Sequence, residues 1–320
     1  MLRLIFIAAA TAVIVKFTTF GWQGLCRAPE FSLRDNSLPD RLKGHVFKLS
    51  EEIGERSIFR YSRLTEAADY IAGQFRDFGL SVKFQEYLLY GKKVKNIIAE
   101  KTGGKKPEEI IIIGAHYDTC FNPGADDNAS AVAGLLELAR LTSPSEFNRT
   151  IRFVAFVNEE PPFFKTKDMG SYVYARRARE EGENIKAAII LEMIGYYSGK
   201  LFSQRYPIFL GLFYPNRANF IAVVGNSANR GLVKKINTCF KNNSRFIIRS
   251  AVLFDFVPGV DFSDHWSFWQ NGFPAAMITD TSFYRYSYYH GNSDTYEKLD
   301  YRSAAAVIEG LKPVLSSLAE

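Results

Sequence analysis

Two histidines and three carboxylates, His116, Asp127, Glu160, Glu192 and His290, stand at the mouths of apolar runs that read as strands. Neutral imidazole nitrogen and carboxylate oxygen are the donors a zinc ion takes, and a single carboxylate can bridge two ions. The set therefore reads as a two-metal hydrolytic site with Asp127, in the loop Gly124 to Ser130, as the bridge. Small residues in that loop allow the backbone to approach an ion closely. His116 and Asp118 lie two apart on an extended segment, so both project from one side, and Asp118 is placed to orient the imidazole. Glu159 and Glu160 are adjacent and face opposite ways in extended geometry, so one can hold metal while the other meets substrate. Two such carboxylates repel unless a cation or a proton relieves them, which suits a general base beside a metal. Glu192 ends the apolar run Ala188 to Leu191, where an unpaired carboxylate is costly. His265 is a second histidine candidate, ranked below His290 because Asp264 can pair it locally and Trp266, Phe268 and Trp269 suggest a packed wall. His45 carries no motif.

These residues need elements that bring them together. Leu64, Ala67, Ala68, Ile71, Phe75 and Phe78 recur at helical spacing and stop at Gly79. Ser81 to Tyr90 and Val94 to Glu100 read as strands joined by a turn at Gly91. Ile110 to Ile113 reads as a buried strand that delivers His116, Ile151 to Val157 as one that delivers Glu159 and Glu160, and Ala187 to Leu191 as one that delivers Glu192. The chain turns helical from Asp127, with Val132, Leu135, Leu136 and Ala139 on one face. Ile221 to Val224 and Ala275 to Ile278 are further strands, and Arg302 to Leu318 is a closing helix despite Pro313. Alternating strands and helices with polar residues at strand ends give an α/β sheet whose loops form a site along one edge. The stretch Lys200 to Asn219 has no clear period and reads as a lid or binding insert.

At 320 residues and 47% hydrophobic content the chain can bury one large core, and no composition break divides it. The net charge of +6 is spread over short lysine clusters of the solvated kind, so nucleic-acid binding is not expected. Leu4 to Val15 is apolar except for Thr11 and flanked by Arg3 and Lys16, the pattern of a signal-peptide core and too short for an ordinary membrane span. Residues 1–26 are thus expected to be a signal peptide or N-terminal membrane anchor on an exported protein, with residues 27–320 as the catalytic domain. Cys26, Cys120 and Cys239 give no disulfide framework.

The motifs Gly114 to Thr119, Pro123 to Ser130, Asn158-Glu159-Glu160, Leu191-Glu192-Met193, Ser263-Asp264-His265 and Tyr289-His290 with Asp294-Thr295, taken in order, resemble the zinc aminopeptidase family of metallopeptidase clan MH. Glutamate carboxypeptidase and glutaminyl cyclase are relatives. The resemblance spans roughly residues 40 to 320 and implies a three-layer α/β sandwich with a mixed, mostly parallel sheet. It also implies two zinc ions, with His116 and Glu192 on one, Glu160 and His290 on the other, and Asp127 between them. Glu159 would be the general acid/base, Tyr289 the hydroxyl that helps stabilise the oxyanion, and the Asp127–Asn128 peptide bond cis. The implied reaction is removal of N-terminal residues from peptides by metal-assisted attack of water. One departure bears on direction: aminopeptidases of the family carry aspartate where this chain has Glu192, and glutamate there occurs in carboxypeptidase relatives. A carboxypeptidase needs a cation for the substrate carboxylate, for which Arg205, Arg217 and Arg285 are the candidates. A glutaminyl cyclase and a non-enzymatic binding ectodomain are the other readings, and the intact Glu159 speaks against the ectodomain. Phe163, Phe164, Tyr196, Tyr197, Phe283 and Tyr284 follow the strands closely enough to line a side-chain pocket.

Overall fold

The computed structural model describes residues 31–207 and 210–320; the expected signal or anchor segment, residues 1–26, lies outside them. No helix among the described residues is long and apolar enough to cross a membrane. In chain order the main elements are α1 (Leu38–Phe47), α2 (Tyr61–Asp77), β1 (Ser81–Leu89), β2 (Lys92–Lys101), β3 (Lys106–His116), α3 (Ala131–Thr142), β4 (Arg149–Phe156), α4 (Gly170–Glu180) and β5 (Asn184–Glu192). They continue with β6 (Ile221–Gly225), α5 (Arg230–Asn243), β7 (Ile248–Val252), α6 (His265–Gln270), β8 (Ala275–Thr279) and α7 (Tyr301–Ala319).

The strands form one mixed sheet in the order β1-β2-β4-β3-β5-β8-β6-β7. β3 runs parallel to both β4 and β5, and β5 runs parallel to β8. The carboxyl ends of these four strands consequently share one edge, the place where an open α/β sheet collects its site. Antiparallel pairs flank this centre, β1 with β2, β2 with β4, and β6 with β8.

Side chains alternate across the sheet, so each strand feeds two cores. On one face Ile111, Ile113, Phe153, Ile189 and Leu191 meet α1, α2, α3, α5 and α7. On the other, Ile110, Ile112, Val154, Phe156 and Ile190 meet Tyr174 and Ala175 of α4 and Phe268 of α6. This is the expected three-layer α/β sandwich.

α2 buries Leu64, Ala67, Ala68, Ile71 and Phe75 and ends where Gly79 takes φ +76°. There the Gly79 N–H donates to Arg76 and the Leu80 N–H to Phe75, the paired bonds that satisfy a helix's last carbonyls. Five elements have no counterpart in the expectations from sequence: α1, α4, α5, the short α6 and β7. Strand β7 is an edge strand in which only Ile248 is buried, so it shows no apolar run. Helix α5 buries only Val233, Ile236 and Phe240 in a basic stretch. The helix expected from Asp127 begins as a wide turn, Ala125–Ser130, in which Asp127 and Asn128 keep non-helical angles; the regular helix starts at Ala131.

Candidate metal centre

The parallel register sets the first distances. His116 ends β3, Glu192 ends β5, and Glu159 and Glu160 follow β4 directly, so all four reach the same edge. His116 Nε2 lies 3.4 Å from Asp127 Oδ1 and 3.4 Å from Glu192 Oε2. His290 Nε2 lies 3.1 Å from Asp127 Oδ2 and 3.2 Å from Glu160 Oε2. The two oxygens of Asp127 thus face two different imidazoles, each accompanied by its own glutamate. Glu159 Oε2 stands 3.9 Å from His116 Nε2.

Backbone and side-chain contacts fix each donor. Asp118 accepts the N–H of Glu159 at 3.0 Å and of Glu160 at 3.1 Å, while its Oδ1 is 3.6 Å from His116 Nδ1, beyond hydrogen-bond reach. Its principal contacts are therefore with the backbone of the glutamate pair, and it approaches the histidine only through charge. Asn128 accepts the Met193 N–H and donates to the Leu191 carbonyl and to Glu192, and Ser263 donates to the same Glu192 oxygen at 2.7 Å. Asp294 accepts the N–H groups of Asp126 and Asp127. The Asp127–Asn128 peptide bond is cis. Asn158, Met193 and His290 have φ of 58°, 47° and 56°, a left-handed backbone that side chains seldom adopt, and each adjoins or belongs to the site.

Arg56 has no counterpart in the sequence reading. It is wholly buried, and its guanidinium donates to the carbonyls of Leu49, Gly54, Tyr117, Pro123 and Gly124, tying the segment after β3 to the loop that carries Asp127. Burial lowers it to about 10, with Asp294 and Asp118 opposing, so it stays charged at neutral pH. Nothing in an isolated arginine within a charged stretch marks it as buried.

The electrostatics call for cations. Burial and then the neighbouring carboxylates push Glu159 well up, despite the pull of His116. Burial and Asp127 bring Glu160 to about 8. Glu192 is raised by burial as well. Asp127 goes the other way: burial would raise it, but the flanking imidazoles hold it below the usual carboxylate range. His116 is raised because Glu192 and Glu159 outweigh its burial. Both ring nitrogens of His116, Nε2 of His290 and Oε1 of Glu160 are buried with no hydrogen-bond partner. Orphaned donors of this kind beside crowded carboxylates fit metal ions.

The remaining histidines lie elsewhere. His265 is fully buried, its Nε2 lies 2.8 Å from the Val260 carbonyl, and its ring packs edge-on against Trp269. The expected pairing with Asp264 is not formed, since neither Asp264 oxygen nor His265 Nδ1 has a hydrogen-bond partner. Asp264 instead sits near His116 and Glu192, where burial raises it to about 7. His45 is buried beneath α3, with Nε2 3.2 Å from Glu137 and Nδ1 2.6 Å from the Tyr70 hydroxyl.

An open cleft adjoins the cluster, with Glu192 and Tyr289 in its wall and a space of about 840 Å³ that runs out into solvent. Tyr206, Leu210 and Tyr214 come from the unpatterned insert, which forms a wall of this cavity. Of the six aromatics expected in a pocket, only Phe283 and Tyr284 line it. Phe163 and Tyr197 pack into or against the main core, Tyr196 packs on Tyr286, and Phe164 on Phe262. The Tyr289 ring stacks on His290 with centroids 3.8 Å apart, and burial and Asp127 raise its phenol, keeping it protonated as a donor. Arg285 is buried and donates to Gln204, Thr281 and the Phe220 carbonyl; Arg205 is exposed and Arg217 donates to the Gly199 carbonyl. None of these three lines the cavity, whereas Arg249 does.

The profile of peptidase family M28 matches residues 96–314. The uncharacterized protein YfbL of Escherichia coli strain K12 is 39% identical over 287 residues, covering 87% of each chain. Among solved structures, BSAP, a zinc aminopeptidase from Bacillus subtilis, superposes with a TM-score of 0.70 at 15% identity, over 90% of this chain and 96% of that one. Porphyromonas gingivalis glutaminyl cyclase superposes with a TM-score of 0.64 at 22% identity, over 90% and 98%. At such identities these structures share the fold, and they share it across two chemistries.

Two measurements follow. Replacing Arg56 by Met removes the donors of five backbone carbonyls, and we expect a loss of about 3–5 kcal/mol in urea unfolding of the full chain. Near pH 7 Glu160 holds a proton that a metal must displace, so calorimetry of zinc binding in buffers of different ionisation heat should register proton release. The release should shrink as pH rises through about 8, where Glu160 is already ionised.

Proposed function

The chain belongs to peptidase family M28, and on that premise we propose that it is a two-zinc aminopeptidase acting on peptides with a free N-terminus. The observation that carries the reading is the division of Asp127: Oδ1 faces the His116 and Glu192 pair, and Oδ2 faces the His290 and Glu160 pair. His116 and Glu192 would hold one ion, His290 and Glu160 the other, with Asp127 bridging. When bound, the ions polarise the scissile carbonyl and acidify water.

The chain's own groups supply the rest. Glu159, buried yet within 3.9 Å of His116, takes the proton of the attacking water and returns it to the leaving amine. Its raised affinity for a proton suits that shuttle. Tyr289, held protonated at the cavity wall, donates to the developing oxyanion. Asp118 orients the glutamate pair through their backbone N–H groups. The carboxylate-rich rim receives the substrate ammonium, and the aromatic cavity receives an apolar side chain. Export, directed by the apolar segment Leu4 to Val15, belongs to the same proposal.

A carboxypeptidase is the second reading, favoured by Glu192 and by Arg249 in the cavity wall. Zinc-loaded protein incubated with a free-ended tripeptide and its N-acetylated twin separates the two. We expect mass spectrometry to show loss of the first residue from the free peptide alone. Trimming of both from the carboxyl end would establish the second reading, and cyclisation of an N-terminal glutamine peptide would place the chain with the cyclases. Glu159→Gln should lower turnover by about two to four orders of magnitude with zinc content unchanged in elemental analysis. Full activity in that variant would remove Glu159 from the mechanism.

A further inference from the structure

Cys120 belongs to neither expected ligand set, yet it stands at the metal centre. Its Sγ, a carboxylate oxygen of Glu160 and an imidazole nitrogen of His290 all lie within 4.8 Å of one another. His116, Asp127 and Glu160 meet the same limit, so the cysteine lies as near to Glu160 and His290 as that limit requires of the expected ligands. Glu160 is only 4% exposed and its Oε1 has no hydrogen-bond partner, and His290 Nε2 is equally orphaned. The thiol is free and half-buried.

Resting on the two-metal reading, we propose that the Cys120 thiolate is a fourth protein donor, beside Asp127, Glu160 and His290, to the ion at the His290 end. A zinc ion with bonds of about 2.3 Å to sulfur and about 2.0–2.2 Å to nitrogen or oxygen would draw these donors together from separations of no more than 4.8 Å. The S–H bond breaks as the sulfur–metal bond forms, and the proton leaves to solvent.

The backbone around Cys120 is already fixed. Asp118 is held by the N–H groups of Glu159 and Glu160, and Thr119 exchanges hydrogen bonds with the Arg56 backbone through its N–H and its Oγ1. The sulfur is therefore presented by an anchored segment. A thiolate is a soft donor, so this end of the centre should favour zinc, cadmium or cobalt over manganese and magnesium. The His116 end, with imidazole and carboxylates alone, lacks that bias.

Cobalt(II) reports a thiolate ligand through a charge-transfer absorption in the near ultraviolet, separate from its visible ligand-field bands. The full chain, freed of metal by a chelator, is loaded with cobalt to a content fixed by elemental analysis. The parent should show both sets of bands. Cys120→Ser should lose the near-ultraviolet band and keep the visible ones, while Cys26→Ser and Cys239→Ser should keep both. Zinc X-ray absorption of the parent, which needs no variant, should show a sulfur scatterer at about 2.3 Å. Bound metal without the ultraviolet band or the sulfur scatterer, or a band that survives Cys120→Ser, overturns the thiolate and leaves the metal reading standing. Failure of the parent to bind cobalt or zinc overturns that reading and the thiolate with it.

Discussion

Carboxylates crowd into one buried pocket at the carboxyl edge of the sheet, and their mutual repulsion is the constraint around which the molecule is organised. Glu159, Glu160, Glu192, Asp127 and Asp264 are each no more than 6–7% exposed, and protein-supplied positive charge within direct reach comes from two imidazoles. Burial, and after it the neighbouring carboxylates, raise Glu160 to about 8 and Asp264 to about 7, so without further cations protons occupy part of the pocket. Such a pocket costs stability unless protons or cations neutralise it. Metal ions meet that need with the donors present.

Holding the donors in place falls to groups that need not touch an ion. Asp118 fixes the Glu159–Glu160 backbone, Asn128 laces the end of β5, Asp294 fixes the Asp127 loop, and Arg56 clamps the loop from beneath. Each satisfies backbone groups that a loop inside a core would otherwise leave unpaired. The left-handed backbone at Met193 is held by the Asn128 side chain, and that at Asn158 directly precedes the pair that Asp118 fixes. Rigid placement is what distinguishes a metal centre from a mere cluster of acids.

The apolar cavity beside the centre gives the arrangement a direction. Its wall runs from Glu192 and Tyr289 through Phe283 and Tyr284 to the residues contributed by the insert after β5. Glu192 and Tyr289 therefore sit at one end of a mostly apolar space, the common form of a small-molecule or side-chain pocket. The fold is shared with an aminopeptidase and a glutaminyl cyclase, so the fold by itself does not fix the chemistry.

Much of this was legible in the chain. The apolar runs ending at His116, Glu160 and Glu192 specify buried strands, and polar residues at their ends specify an edge site, because periodicity and burial are local properties of sequence. Edge strand β7 and helix α5 were not legible, since a half-exposed element carries a diluted pattern. Likewise the course of Asp264, the burial of Arg56 and the nearness of Cys120 to Glu160 and His290 were not legible, whereas the packed setting of His265 beside its tryptophans was. Residue type and spacing along the chain determined which groups could bind metal. Which of them meet was decided by the parallel register of β3, β4 and β5 and by the loops folded over it, because contacts between residues distant in sequence exist only once the sheet is assembled.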